Sequence, residues 1–326
     1  MRRRDLIKTI AISAVIWPLA ARAQRPAMPV IGFLNATSPD AYRLRAFHQG
    51  LKEAGFVEGE NVAVEYRWAE GQMDRLQTLA AELVRRQVTV IVAAGGTRSG
   101  LAAKTETKSI PILFIVGEDP VKLGLVTSLA KPDRNLTGVN ILAAEVVAKR
   151  LELLRELLPK AIHIGVLVDP VNSTSAESTL RGLETATRTI GMQIQVFNAS
   201  TIREVDAAFA ALVNERLDAL FVGISPFLLE RRVQLAQLAA RHAIPSIYQE
   251  REHVEVGGLM SYGASIGDAY RHLGVYAGRI LKGDKPADLP VMQSSKFELV
   301  INHSTARMLG LTLPPKLLSI ADDVIE

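Results

Sequence analysis

The chain repeats itself, and the repeat limits what it can fold into. HIGVLVDP (His163–Pro170) has the apolar run and turn of VIGFLNAT, which begins at Val30. AALVNERLDALFVGIS matches AELVRRQVTVIVAAGG nearly in register, and Ile244-Pro245 repeats Ile110-Pro111. Gly32 and Gly165 lie 133 residues apart, Val84 and Val213 129, and Pro111 and Pro245 134. An amphipathic helix carries Gly50-Leu51 in the first copy and Gly182-Leu183 in the second, with Gly55 and Gly191 following. Within each copy, short apolar strands alternate with amphipathic helices, the signature of βαβ units in a parallel sheet. Offsets this steady over three elements predict an α/β protein of two similar lobes, not one large sheet.

The stretch Gly138–Ala143 is expected to be extended and to cross between the copies, with a helix from about Glu145 to Leu158 opening the second. Past Tyr248 come GGLMSYG, a helix near Ile266–Leu281, a KGDKPADLP turn and a KFELVIN strand, which suit further crossings and edge elements.

The amino terminus belongs to neither copy. MRRRDLIKTIAISAVIWPLAARAQ has a basic start, an apolar run of about a dozen residues broken by Pro18, and Ala21-Arg22-Ala23. A membrane-spanning helix needs roughly 20 apolar residues. The pattern instead predicts a cleaved export signal over residues 1–23, and a periplasmic product. Arg3-Arg4-Asp5-Leu6-Ile7-Lys8 resembles a twin-arginine box, with general secretion as the alternative route. The whole chain has 38 basic and 34 acidic residues; residues 1–23 hold five basic residues and Asp5, leaving 33 of each sign. No charge excess points to nucleic acid or to an acidic membrane surface. With no cysteine, disulfides, thiolate metal sites, catalytic thiols and lipoprotein anchors are all excluded. The mature protein is expected to be a soluble monomer.

In open parallel sheets ligands bind beyond the carboxyl ends of the strands. Those ends here are Asn35-Ala36-Thr37-Ser38, Gly95-Gly96-Thr97, Gly117-Glu118-Asp119-Pro120, Asp169-Pro170-Val171-Asn172-Ser173, Ser225-Pro226-Phe227 and Tyr248-Gln249-Glu250. Hydroxyls and amides at helix starts suit an anionic group, whereas Glu118, Asp119, Asp169 and Glu250 suit a cation. The competing roles are ordinary ones: helix caps for Ser38, Thr97 and Ser173, and turns at Asp119-Pro120 and Asp169-Pro170. Trp68 suits either stacking on an aromatic ligand or edge-strand packing. Gly95-Gly96 lacks the order of a dinucleotide or phosphate loop. There is no G-x-S-x-G elbow and no H-E-x-x-H, and the six histidines are scattered, with His242 and His253 expected in solvent. Neither an enzyme, a metal site nor a cofactor is expected.

Over nearly its full length the mature chain resembles the ABC-transporter substrate-binding family that includes tryptophan/tyrosine-type binding proteins. The resemblance is carried by GLKEAGFVEGENVAVEYRWAEG, ELVRRQVTVIVAAGG, GEDPVKLGLVTSLAKPDRNLTGVN, LELLRELLP and LPVMQSSKFELVINHSTARMLGLTLPP. It implies the type I periplasmic binding fold: two Rossmann-like lobes joined by three crossovers, divided here as 24–141 plus 252–285 and 142–251 plus 286–326. It further implies a small-molecule solute in the interlobe cleft, delivered to ABC permease subunits that provide the only membrane contact. The alternatives are a ligand sensor for a membrane kinase or chemoreceptor and, behind it, an enzyme using the cleft. Positions implied to bind ligand are Gly96, Thr97, Glu118, Asp119, Asn140, Asp169, Asn172, Ser225, Tyr248 and Glu250; the strand-end reading adds Asn35 and Thr37, and the stacking reading adds Trp68. Where amino-acid-binding relatives have a Thr-Asp-Asn type of loop, this chain reads Ser225-Pro226-Phe227. Losing that acid weakens a site for an α-ammonium group and favours a carboxylate-bearing or neutral aromatic ligand. Export is tested by the mass of the mature protein, expected to start at Gln24; an intact amino terminus in the soluble fraction counts against it.

Overall fold

The computed structural model describes residues 28–132 and 134–326, so the expected export signal and its cleavage site lie outside the described residues. The first copy supplies β1 (Val30–Asn35), β2 (Ala63–Trp68), β3 (Val90–Ala94), β4 (Ile112–Val116) and β5 (Leu136–Asn140). The second supplies β6 (His163–Val168), β7 (Gln193–Asn198), β8 (Ala219–Val222), β9 (Ser246–Tyr248) and β10 (Met260–Ala264). Three more follow: β11 (Met292–Gln293), β12 (Phe297–Asn302) and β13 (Asp323–Ile325).

The six-stranded sheet runs β11-β5-β4-β3-β1-β2 and the seven-stranded sheet β13-β12-β10-β9-β8-β6-β7. Stripped of the added edges, 5-4-3-1-2 becomes 10-9-8-6-7, so the sequence repeat is a repeat of topology. Ladders within the two copies are parallel; only β12, added against β10, runs antiparallel. Central strands such as VIVAA and ILFIV are buried on both faces because helices cover each side. Two apolar clusters per lobe result, one on each face of its sheet.

The lobe boundaries differ from those expected. The helix Arg251–Glu255 and β10 belong to the second lobe, since β10 pairs with β9 (Met260↔Ile247). β11 returns to the first, pairing Met292↔Val139. The crossings therefore follow Asn140, Ala264 and Gln293. MSYGA, the end of GGLMSYGA, is the fifth strand of the second copy, and the glycines in and before it disguised it as a connection.

The helix Ile266–Leu281 then rejoins the first lobe, packed on the helix Ala41–Glu53. Contact is backbone to backbone: a Cβ on Gly50 would lie 1.9 Å from the Arg271 carbonyl oxygen, and one on Gly274 2.1 Å from that of Phe47. At the equivalent Gly182 a Cβ would meet only the Val147 side chain, at 3.0 Å. Gly50→Ala should therefore cost about 1–3 kcal/mol through overpacking, while Gly182→Ala stays near neutral because alanine's helix propensity offsets the crowding. Denaturation of the two variants side by side checks this; equal stabilities would contradict the close approach.

Candidate functional site

The carboxyl ends of the two sheets face each other across a small cavity lined from both lobes. Of the expected residues, Thr37, Gly96 and Thr97 line it from the first lobe, and Asn172, Ser225 and Glu250 from the second. Arg43, Ser175 and Tyr270 also reach it, and Ile115, Ile141, Ile224 and Ile266 make much of its wall apolar. Gly95 and Gly96 lie at φ +79° and +116°, the left-handed region glycine permits, and deliver the uncapped start of the helix Thr97–Glu106 to the cavity.

Other expected residues stand behind this wall. The Asn35 amide donates to Tyr270 Oη at 3.1 Å, and its carbonyl oxygen accepts from the Thr37 amide and hydroxyl at 2.9 and 3.0 Å. Asn35 thus fixes two lining residues. Glu118 is buried and accepts hydrogen bonds from Thr97 Oγ1 of its own lobe and from Ser175 Oγ of the other. Asp169 accepts from the Val171 amide at 3.0 Å and from the Ser200 and Ser225 hydroxyls at 2.6 Å each. The Asn172 amide donates to the Ile224 carbonyl at 3.4 Å.

Four expected residues are placed elsewhere. Tyr248 is fully buried in the second lobe's core, where its hydroxyl donates to Ser246 at 3.1 Å. Trp68 stacks on Tyr66 with ring centroids 5.8 Å apart, which is edge-strand packing. Asp119 is exposed and its carboxylate accepts from the Val121 amide, forming a turn. Asn140 accepts from the Leu142 amide at 2.9 Å at the first crossing, where Leu142 has φ +53°. Nor is His253 solvated. It is 3% exposed and stacked on Tyr248 with centroids 4.5 Å apart, and burial pushes its pKa down to about 4.

Two arginines escaped the sequence reading. Arg43, on the helix Ala41–Glu53, pairs across the lobes with Glu250 at 3.0 Å and Glu252 at 2.8 Å. Burial opposes charge on all three. For Glu252 burial is the largest influence, but Arg43, a backbone hydrogen bond and His253 together hold the carboxyl below its usual range, while burial keeps Glu250 raised. Arg150 is wholly buried, donating to the Val222 and Ile247 carbonyls with its guanidinium 4.0 Å from the Phe221 ring centroid; burial lowers its pKa to about 9. The one available signal was positional: each arginine occupies a place on its helix's apolar stripe, with Phe47 and Leu51 in one case and Val147, Leu151 and Leu154 in the other. Further out, Glu230 accepts from the Ser38 amide at 2.6 Å and hydroxyl at 2.9 Å, again joining the lobes. Among the described residues no His, Cys, Asp and Glu cluster is arranged to hold a metal ion.

Two lobes closed on a shared, mostly apolar cavity define a solute-binding protein. The chain belongs to the ABC transporter substrate binding protein family, whose profile matches residues 28–325. It is 30% identical over 271 residues to a tyrosine-binding protein of Clostridioides difficile, covering 82% of this chain and 76% of that one. The ABC domain in complex with L-Trp from Streptococcus pneumonia superposes with a TM-score of 0.80 at 24% identity, over 91% of this chain and 99% of that one. A ligand-free, open substrate binding protein with adhesive properties from Clostridium difficile gives 0.65 at 27% identity, over the same shares. Substrate-binding proteins of this family are extracytoplasmic, and among the described residues no helix is long and apolar enough to cross a membrane.

His253 gives a pH test. In the unfolded chain a histidine takes up its proton below about pH 6.5, whereas His253 resists until about pH 4, so acid favours unfolding across that window. Between pH 6.5 and 4 the parent should lose up to about 3 kcal/mol more stability than His253→Phe, which keeps the stack on Tyr248. Chemical denaturation of both across that range measures the difference; parallel pH profiles would be inconsistent with a buried neutral imidazole.

Proposed function

We propose that the protein is the receptor subunit of an ABC importer, which closes its lobes around a small solute and hands it to a membrane permease, without chemistry of its own. The observation that carries this is the shared cavity wall: Thr37, Gly96 and Thr97 come from one lobe and Asn172, Ser225 and Glu250 from the other. A solute touching both lobes binds the closed form better than the open one, and that difference in affinity shifts the population toward closure. Three chain crossings let the lobes turn about one boundary, and a permease would read the resulting shape. Export to the periplasm and action as a monomer complete the proposal. The relatives' ligands, tyrosine and L-Trp, support a solute with an apolar body, which the isoleucine wall would receive.

Small-angle scattering should show a smaller radius of gyration once a ligand, found by thermal-shift screening of amino acids and aromatic acids, saturates the protein. Thr97→Ala should weaken binding roughly five- to 150-fold by removing a buried hydrogen bond. Glu230→Gln, outside the cavity, should also weaken it by destabilising the closed form. Dimensions that do not change at saturation would remove the support for closure.

A further inference from the structure

We propose that the cleft is built for the cationic, hydrogen-bond-donating end of its solute, so that an amine binds at least as well as the matching zwitterion and far better than the matching acid. This rests on the receptor reading above. It starts from where three protons go. Thr97, Ser175 and Ser225 are hydroxyl residues lining the cavity. Thr97 Oγ1 and Ser175 Oγ each bond one oxygen of Glu118, and Ser225 Oγ lies 2.6 Å from Asp169 Oδ2. An ionised carboxylate has no proton to give and a hydroxyl has one, so each hydroxyl is the donor in its bond. Toward the cavity these three oxygens have only lone pairs to offer. A solute carboxylate arriving there meets acceptors, with Glu118 immediately behind two of them. An ammonium carries three N–H donors and finds acceptors.

The charge balance points the same way. Glu118 and Asp169 are 8% and 3% exposed, and their hydrogen bonds come from hydroxyls and a backbone amide. Among the described residues neither forms an ion pair. Arg43 is already shared between Glu250 and Glu252, and Arg150 is bonded to carbonyls. Glu118 and Asp169 are thus left without a guanidinium of their own. Buried charge without a counterpart is costly, and a cation delivered by the solute relieves it. The start of the helix at Thr97 favours an anion, but the hydroxyls that would assist it are turned to Glu118. Ser225-Pro226-Phe227 lacks an acid of its own, yet Ser225 relays Asp169. The loop's departure from its relatives therefore leaves a cation site in place.

The test titrates the full mature chain calorimetrically with two matched sets: ethylamine, alanine and propionate, and phenethylamine, phenylalanine and 3-phenylpropionate. In each set that binds, the amine should match or exceed the amino acid, and the acid should be at least tenfold weaker. Glu118→Gln keeps the shape and removes the charge, so it should shrink the amine-over-acid ratio about tenfold. Asp169→Asn is the second variant, used if the first does not melt cooperatively. The proposal is overturned by an acid that binds as tightly as its amine, by a ratio unchanged in the variant, or by silence from all six compounds. Tight binding of the acids with compaction in scattering leaves the receptor reading standing. That reading fails separately, if ligands of no class compact the chain.

Discussion

Arg43 holds the closed form together. Its guanidinium leaves one lobe and ends between two carboxylates of the other, with only 5% of its side chain exposed. Such a group is costly to bury unless its geometry and hydrogen bonds are satisfied. Both conditions are met here by carboxylates of the opposite lobe, so the pair ties the two lobes together. Arg43 also lines the cavity. The wall of the cavity and the clasp that joins the lobes therefore share one side chain.

The cavity is bounded by groups already committed to one another. Asn35 fixes Thr37 and Tyr270, Asp169 fixes Ser225, and Glu118 fixes Thr97 and Ser175 across the lobe boundary. Side chains locked in this way are preorganised, so little ordering is left to oppose binding. The apolar isoleucines between them supply contact without direction.

The repeat was legible because buried strands and their helices must recur in order, and 5-4-3-1-2 against 10-9-8-6-7 bears that reading out. The division into lobes was less so. β10 carries glycines at Gly257, Gly258 and Gly263 in and around it, and β11 is two residues long, too short to show periodicity. Within the site, strand-end position located Thr97 and Ser225 but misplaced Tyr248, because the face a strand residue presents depends on register, and all three residues of β9 are buried. His253 was misread for a related reason: its charged neighbours describe the sequence, whereas its ring is covered by Tyr248 and the second lobe's core. Arg43 and Arg150 were hidden by the habit of assigning charge to the wet face of a helix. A charge on an apolar stripe is the better warning.

The return of the helix Ile266–Leu281 to the helix Ala41–Glu53 also has a consequence for how the chain comes to be folded. β1 has its sheet partners β2 and β3 early, but the face that carries Phe33 and Phe47 stays uncovered until a segment more than two hundred residues later arrives. The second lobe waits longer, since β12 and β13 follow the last crossing. Contacts this distant in sequence are slow to form because loop closure comes before any gain from them. Neither lobe can be finished while the chain is still emerging, so each stays an open half-sandwich until the carboxyl-terminal elements are free. A nascent chain of this design therefore spends its synthesis with a complementary apolar face exposed, and a holding factor in transit would find it there.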